Sequence, residues 1–363
     1  MSDQIRNNNF GIIMAGGVGS RFWPMSRSGN PKQFHDILGI GRTLIQMTFD
    51  RLSKLIPTDQ IFVVTNAKYK QTVLDQLPEL TDSQVLTEPF MRNTAPCIAY
   101  ANFRVANINP DARLVVAPAD HLILKEDVFT ECLELALETT SSSNSLVTLG
   151  IKPSRPDTGY GYIQFEEDNS DVPVKKVRTF TEKPDLELAK RFLDSGDFYW
   201  NSGIFIWSLN NIQRAFEEHL NDMFKLFQSQ AEVFGTDREN EVVERIYAEC
   251  DNISIDYGIM EKARNVQVVL GDFGWSDLGT WGSLYTHLKH DDQGNGVVGK
   301  LKSYQSVNNV VYAPSKKLVV LQGLNEFIVV DTDDVLVICK KADEQKIKSI
   351  VNDLKVDGGE NFV

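Results

Sequence analysis

Phe10-Gly-Ile-Ile-Met-Ala-Gly-Gly-Val-Gly-Ser-Arg-Phe-Trp-Pro24, followed eight residues later by Lys32, is the most informative stretch of this chain. Phe10–Met14 reads as a short apolar strand, and Gly16, Gly17 and Gly19 read as a turn at its carboxyl end. With no Cβ in the way, the backbone N–H groups of such a turn can approach a phosphate closely. Arg21 adds a planar fork and Lys32 a point charge, while Pro31 fixes the backbone just before the lysine. The spacing is neither that of the P-loop nor that of the dinucleotide-binding fingerprint. A glycine-rich turn after a strand is more often a tight connection than a phosphate site. Arg21, Pro24, Pro31 and Lys32 together turn the reading toward a loop that wraps a nucleoside triphosphate.

Charge points the same way. The chain carries a formal −13, yet residues 1–42 hold Arg6, Arg21, Arg27, Lys32 and Arg42 against Asp3 and Asp36, a local surplus of +3. Such a segment meets an anion, or it merely offsets neighbouring acids. The acidic balance elsewhere argues against a nucleic-acid partner, since the sequence offers no basic face dense enough to follow a phosphate backbone. The amino terminus, Met-Ser-Asp-Gln-Ile-Arg, lacks the apolar core of a signal peptide, and no apolar run is long enough to cross a bilayer. Cys97, Cys132, Cys250 and Cys339 are scattered with no CxxC spacing, which suits reduced thiols and a cytoplasmic protein. The five histidines form no ligand cluster, so no zinc site is expected.

At 363 residues the chain is long enough for two domains. Apolar runs at Phe10–Met14, Ile61–Val64, Gln84–Leu86, Leu114–Ala117 and Leu146–Leu149 alternate with helical patterns at Thr43–Leu55, Tyr69–Leu77, Thr94–Asn107 and Asp127–Thr139. That alternation predicts an α/β fold with βαβ units on a parallel sheet, where ligands sit beyond the carboxyl ends of the strands. The glycine-rich loop, the Glu88 segment and the Asp120 segment each follow an expected strand, which puts three polar motifs on one sheet edge. Runs at Tyr162–Phe165, Val174–Thr181 and Gly203–Trp207 look antiparallel, helices are expected from Asn211 to about Glu249, and Val266–Leu270 reads as a last strand of this part. His290–Gly296 reads as a linker. It separates a catalytic domain, 1–289, from a small β-rich domain, 297–363, with runs at Asn309–Tyr312, Lys317–Gln322, Glu326–Asp331 and Val335–Lys340 and a terminal helix near Ala342–Leu354. That tail has no concentration of reactive groups and reads as structural.

Asp120, in Ala117-Pro-Ala-Asp-His-Leu122, and Asp277, between Trp275 and Trp281, both fall on loops after expected strands. Either alone suits a cap. As a pair beside a triphosphate loop they suit Mg²⁺, which takes one or two carboxylates and completes its shell with phosphate oxygens and water. Mn²⁺ or Co²⁺ would satisfy the same oxygen ligands. Lys183, in Phe180-Thr-Glu-Lys-Pro184, is either a solvated surface lysine or a phosphate contact. Trp200-Asn-Ser-Gly203 offers an amide and a hydroxyl to a polyhydroxylated ligand, or is simply a turn. Glu88 could accept from the N1–H and exocyclic amine of guanine, or be an ordinary loop carboxylate, with Asn93 or Thr94 capping the helix that follows.

The succession GGVGSRFWPMSR with PKQF, EPFMRNTAP, PADH, FTEKP, WNSGIFIW, SIDYGIMEK and GWSDLGTW resembles bacterial mannose-1-phosphate guanylyltransferases, the GDP-mannose pyrophosphorylases, in family order from Gly11 to about Trp281. GGxGxR…PK is common to enzymes that make nucleotide sugars, whereas RNTAP, WNSGIFIW and GWSDLGTW point to the guanylyl branch. The resemblance implies a Rossmann-like mixed, mostly parallel sheet plus a partial β-helix at the carboxyl end that helps form a homodimer. The fused isomerase domain of longer relatives is not expected. By position, it implies that Arg21, Lys32 and Lys183 are catalytic cations. Ala15, Gly16, Gly17, Gly19, Glu88, Asn93 and Thr94 would bind the nucleotide, and Gly161, Glu182 and Asn201 the mannose. Asp120 and Asp277 would hold Mg²⁺, and Asp256 would reach the metal or brace the pocket. The implied reaction joins GTP and mannose 1-phosphate into GDP-mannose and pyrophosphate by in-line attack on the α-phosphorus. The rivals are another sugar 1-phosphate, such as glucose or a heptose, and a non-catalytic nucleotide-sugar-binding subunit.

Overall fold

The apolar run beside the glycine-rich turn forms β1 (Asn9–Ala15), buried at all but one position, as a strand covered on both faces must be. The computed structural model describes residues 8–166 and 172–363, so Asp3 and Arg6 lie outside the described residues. The chain divides into two compact units. The first comprises Met1–Gly16, Thr48–Ala119 and Ile123–Trp275; the second comprises Gly17–Met47, Asp120–Leu122 and Ser276–Val363.

In the first unit β1 lies between β2 (Ile61–Asn66) and β4 (Arg113–Pro118), with β3 (Val85–Glu88) outside β2, and these pairings are all parallel. The two-residue strand β5 (Leu122–Ile123) follows at a unit boundary. β6 (Leu146–Ile151), β7 (Tyr162–Phe165), β8 (Val174–Thr181), β9 (Phe198–Ser208) and β10 (Val266–Gly271) complete a nine-stranded sheet ordered β3-β2-β1-β4-β9-β6-β10-β8-β7. β9 runs antiparallel to β4, β6 and β7, and β8 antiparallel to β10 and β7, so the sheet is mixed, with parallel pairing along β3-β2-β1-β4 and between β6 and β10. Helix Thr94–Ala106 is built from small and apolar residues and buries ten of them, including Ile98, Tyr100 and Phe103. Its core continues through Trp207, Phe216, Phe227 and Tyr247.

Local chemistry accounts for the boundaries. Asp185 Oδ1 accepts from the Leu188 N–H at 2.8 Å and starts helix Leu186–Ser195, which ends where Gly196 takes a left-handed φ of 78°. Ser208 caps the next helix, Leu209–His219, in the same way. Trp200-Asn-Ser-Gly203 is not a turn but the interior of β9, which begins at Phe198 rather than Gly203. The glycine marks a local irregularity, since the pairing of β6 with β9 shifts register between Thr148 and Gly150.

The second unit carries a four-stranded sheet in the order β12 (Gly296–Tyr304), β13 (Val310–Gln322), β14 (Phe327–Asp331), β15 (Leu336–Lys340); the short β11 (Trp275–Ser276) precedes it at the unit boundary. Gly296, Val310 and Ile328 stand on successive parallel rungs, which gives the expected β-helix character, and β15 closes the sheet antiparallel. The runs expected at 309–312 and 317–322 are one continuous strand, β13. His290–Gly296 is not an open linker. Asp291 Oδ1 accepts from the N–H groups of Gln293 and Asn295 at 2.9 and 2.8 Å, and the segment lies inside the second unit. Buried Asn295 and Asn309 stack across the rungs, with Asn309 Nδ2 donating to Asn295 Oδ1 at 2.9 Å and to Leu324 O at 2.8 Å. Phe22, Trp23, Leu278, Trp281, Val310, Tyr312, Ile328, Val330, Ile347 and Val351 share this unit's core, so the residues flanking the glycine-rich loop pack with the carboxyl-terminal strands and helix.

Candidate active site

The candidate site residues fall into two groups, one in each unit. In the second unit, Gly19 adopts φ 69°, and a Cβ there would come within 2.6 Å of the Lys32 Cβ. Both facts demand glycine. The Ser26 hydroxyl donates to Val18 O and to Gly19 O, the latter at 2.9 Å, and the Lys32 N–H donates to Val18 O at 3.2 Å, closing the loop on itself. The Lys32 side chain is 4% exposed, and a buried ammonium must be fully paired. Its Nζ donates to Asp277 O at 2.7 Å and Leu278 O at 3.0 Å, and makes a 2.7 Å ion pair with Asp120 Oδ2. Leu278 holds a positive φ of 44°, unusual for a leucine, in the turn that supplies both carbonyls. Burial would raise the Asp120 carboxyl, but Lys32 and His121 outweigh it and hold the group below the usual carboxylate range. Asp277 Oδ1 accepts from the Gly279 N–H at 2.9 Å.

Arg21, Lys32, Asp120, His121, Asp277 and Lys348 line one cavity of about 260 Å³. Among the described residues no group of three or more His, Cys, Asp or Glu side chains could hold a metal. Two carboxylates on a cavity that also carries cations nevertheless fit Mg²⁺ shared with a polyphosphate, because the phosphate oxygens supply the remaining ligands.

In the first unit, Glu88 ends β3 and is 5% exposed. Burial pushes its carboxyl up to about 7, against the pull of the Tyr247 hydroxyl, which donates to Oε1 at 2.8 Å. A Cβ on Gly16 would stand 3.3 Å from Glu88 Oε2, so this glycine leaves room beside the carboxyl. Ala15, the last residue of β1, accepts at its carbonyl from the Thr65 hydroxyl at 2.8 Å. Asn93 is the N-cap of helix Thr94–Ala106: its Oδ1 accepts from the Thr94 N–H at 2.9 Å, and its φ is 69°. The Thr94 hydroxyl accepts from the Ile255 N–H at 2.9 Å.

Strand register assembles the other residues of this unit. Tyr162 pairs with Thr181 on one side and Trp200 on the other, so the adjacent Gly161 stands between Glu182 and Asn201. The Asn201 N–H donates to Gly161 O at 2.8 Å, and a Cβ on Gly161 would collide with Glu182 Oε2. Asn201 Oδ1 accepts from the Thr148 hydroxyl at 2.8 Å while its Nδ2 donates to Asp256 Oδ1 at 2.9 Å, which fixes the amide orientation. Glu182 is 7% exposed at its side chain; Oε1 takes a 2.7 Å ion pair from Lys183, and Oε2 is buried without a hydrogen bond. A buried, unsatisfied carboxylate oxygen is a place for a ligand hydroxyl. Lys183 has a positive φ of 47°. Burial would lower its ammonium, but Glu182 and Asp256 overcome that and hold it charged. Asp256 opens a π-helical turn, Asp256–Met260, a form often found at functional sites, and burial plus the Glu182 carboxylate raise its carboxyl well above the usual range.

Sequence reasoning therefore named residues that the fold gathers within each unit, and it missed their partners. Thr148 is a single polar residue inside an apolar run, a signal of buried hydrogen bonding; Tyr247 stands in a helix among Glu244, Arg245 and Glu249, where nothing local marks it as a partner. Lys348 sits on a helix that reads as ordinary amphipathic sequence.

The nucleotidyl transferase family profile matches residues 10–294, and the profile of the mannose-phosphate isomerase/GMP-like β-helix domain matches residues 303–354. A mannose-1-phosphate guanylyltransferase of Salmonella montevideo is 37% identical over 354 residues, 95% of this chain and 74% of that protein. Its counterpart in Escherichia coli K12 is 35% identical over 355 residues, 96% of this chain and 73% of that protein. Among solved structures, a Thermus thermophilus protein described as a mannose-1-phosphate geranyltransferase matches with a TM-score of 0.86 at 30% identity, covering 96% of this chain and 99% of that one. Sequence and fold agree along nearly the whole length, and the chain belongs to the nucleotidyl transferase family, with the mannose-1-phosphate guanylyltransferases as its relatives.

Proposed function

We propose that the protein condenses GTP with α-D-mannose 1-phosphate to give GDP-mannose and pyrophosphate. The observation that carries this reading is the buried Lys32 ammonium beside Asp120 and the Asp277 turn, lining one cavity with Arg21. A sugar phosphate oxygen attacks the α-phosphorus of GTP in line, the new O–P bond forms as the bond to the bridging α–β oxygen breaks, and pyrophosphate leaves with that oxygen. The nucleophile is already an anion, so no protein base and no covalent intermediate are needed. The difficulty is bringing two anions together, and alignment with charge neutralisation is the remedy. Arg21 and Lys32 neutralise the triphosphate and the departing pyrophosphate. Mg²⁺, or Mn²⁺ or Co²⁺, held by Asp120 and Asp277 would add positive charge at the same phosphates. Lys183 holds the sugar phosphate, with Gly161, Glu182 and Asn201 at the mannose hydroxyls. Gly16, Gly17 and Gly19 take the phosphates, and Ala15, Glu88, Asn93 and Thr94 lie at the guanine, where ionised Glu88 accepts from N1–H and the exocyclic amine.

The reading extends to a catalytic part, residues 1–289, a β-rich module, 297–363, and a homodimer in which exposed Leu318, Val320, Leu336 and Ile338 of that module meet a second copy. It also takes the setting as cytoplasmic, in keeping with four cysteines that form no disulfide. No described helix is long and apolar enough to cross a membrane. The test is pyrophosphate release from GTP plus mannose 1-phosphate, with and without Mg²⁺, against UTP and glucose 1-phosphate. Metal-dependent release confined to the first pair is expected. Release with a different pair would replace the substrates and keep the mechanism. No release from folded protein that still binds GTP would overturn the catalytic reading.

A further inference from the structure

We propose that Lys348, from the carboxyl-terminal helix, is a third cation of the polyphosphate site. The inference rests on reading the Arg21–Lys32–Asp120–Asp277 cavity as the place of the triphosphate. Helix Ile347–Val356 docks through Ile347 and Val351, one turn apart on one face and 0% and 6% exposed. Both belong to the core that holds Phe22 and Trp23. Burying the positions i and i+4 fixes the rotation of the helix about its axis. Lys348, about 100° further round than Ile347, then lines the cavity with Arg21, Lys32, Asp120 and Asp277. Two further ties hold this end of the chain: Glu344 Oε2 accepts from the Gly282 N–H at 2.8 Å, and Phe362 O accepts from the Trp23 indole N–H at 2.6 Å.

Charge makes the role specific. Lys32 shares its ammonium with Asp120 and two backbone carbonyls, so part of its charge is offset before any phosphate arrives. A triphosphate beside the Asp120 and Asp277 carboxylates carries more negative charge than Arg21, Lys32 and one divalent ion would offset. Lys348, an exposed lysine on a helix docked into the core, faces the same cavity and supplies a further positive charge there. The carboxyl-terminal module therefore contributes chemistry as well as structure, as a phosphate contact rather than a positioning element.

The test uses the full-length protein with inorganic pyrophosphate and inorganic tripolyphosphate as calorimetric ligands, which isolates the phosphates from guanine and sugar. Lys348→Met should weaken both by about tenfold, the worth of one charge-assisted contact discounted for exposure. Lys348→Arg should stay within about twofold of wild type. Mannose 1-phosphate binding should not change in either variant, and the melting temperature should match wild type. Lys355→Met, on the same helix but not on the cavity wall, should bind like wild type. Lys348→Met binding as tightly as wild type would overturn the inference alone. Wild-type protein that binds neither polyphosphate would overturn the reading of the cavity, and the inference with it.

Discussion

Glu88→Gln separates the energetics of a buried acid from its service to a ligand. In the unfolded chain this carboxyl titrates near its ordinary 4.5; in the folded protein, burial moves it to about 7. Between those values the folded state keeps a proton that the unfolded state has lost, so stability falls as pH rises through the interval. Above about 7 the full penalty stands. At 1.36 kcal/mol for each decade it amounts to about 3 kcal/mol, of which about 2.5 develops between pH 5 and pH 8. Glutamine carries no such penalty and keeps an oxygen for the Tyr247 hydroxyl, losing about 1 kcal/mol if its amide finds no acceptor. The variant should therefore be level with wild type or slightly weaker at pH 5, and more stable by about 2 kcal/mol at pH 8. Urea unfolding followed by tryptophan fluorescence at pH 5, 6, 7 and 8 measures the gap, and subtracting variant from wild type removes the other titrations. A gap that stays constant across that range refutes the assignment of a strongly raised carboxyl to Glu88. The functional half runs the other way. Wild-type affinity for GTP should improve as pH rises through 7 and the carboxylate forms, and the variant should lose both that improvement and its preference for guanine over adenine.

Lys32→Met should fold but lose about 3–4 kcal/mol of transition-state stabilisation, a hundred- to thousandfold in turnover, measured by pyrophosphate release. Turnover within a few-fold of wild type would remove Lys32 from the mechanism. Gly161→Ala places a methyl group against Glu182 Oε2 and 3.3 Å from the Asn201 Cβ, so KM for mannose 1-phosphate should rise while GTP binding stays intact. Steady-state kinetics with each substrate varied would decide it. Asn309→Ala strips a buried amide from Asn295, Leu324 and Phe327 and should cost about 2–3 kcal/mol, read as a lowered melting temperature.

The parallel half of the sheet was legible because strands buried on both faces are nearly continuous apolar runs, and β1, β2 and β4 have that form. β9 was legible only from Gly203 onward, since Asn201, Ser202 and Gly203 look like turn residues one at a time. Their strand conformation is imposed by pairing with β6 and β7, contacts far away in sequence. The partition of the chain was hidden for the same reason. Nothing local to residues 17–47 announces that Phe22 and Trp23 pack with Val330 and Ile347. At the site, the residues that bear charge were visible as motifs. What orients them was not, because Tyr247 above Glu88 and Thr148 behind Asn201 come from unrelated segments.

The second unit is stitched from three separate lengths of chain, and that sets an order of events during synthesis. Residues 17–47 leave the ribosome early, yet the side chains that bury Phe22 and Trp23 include Ile347 and Val351, made some three hundred residues later. At roughly 5–20 residues per second that is a wait of about 15–60 s. During it, the glycine-rich loop lacks the carboxyl-terminal part of its core, the Trp23 indole lacks the Phe362 carbonyl, and Lys32 lacks the Asp277 and Leu278 carbonyls. The glycine-rich loop is thus among the last parts to gain its full set of contacts, although it is among the first to be made. If that loop takes the triphosphate as proposed, tight nucleotide binding there should await the carboxyl-terminal strands and helix that complete its core.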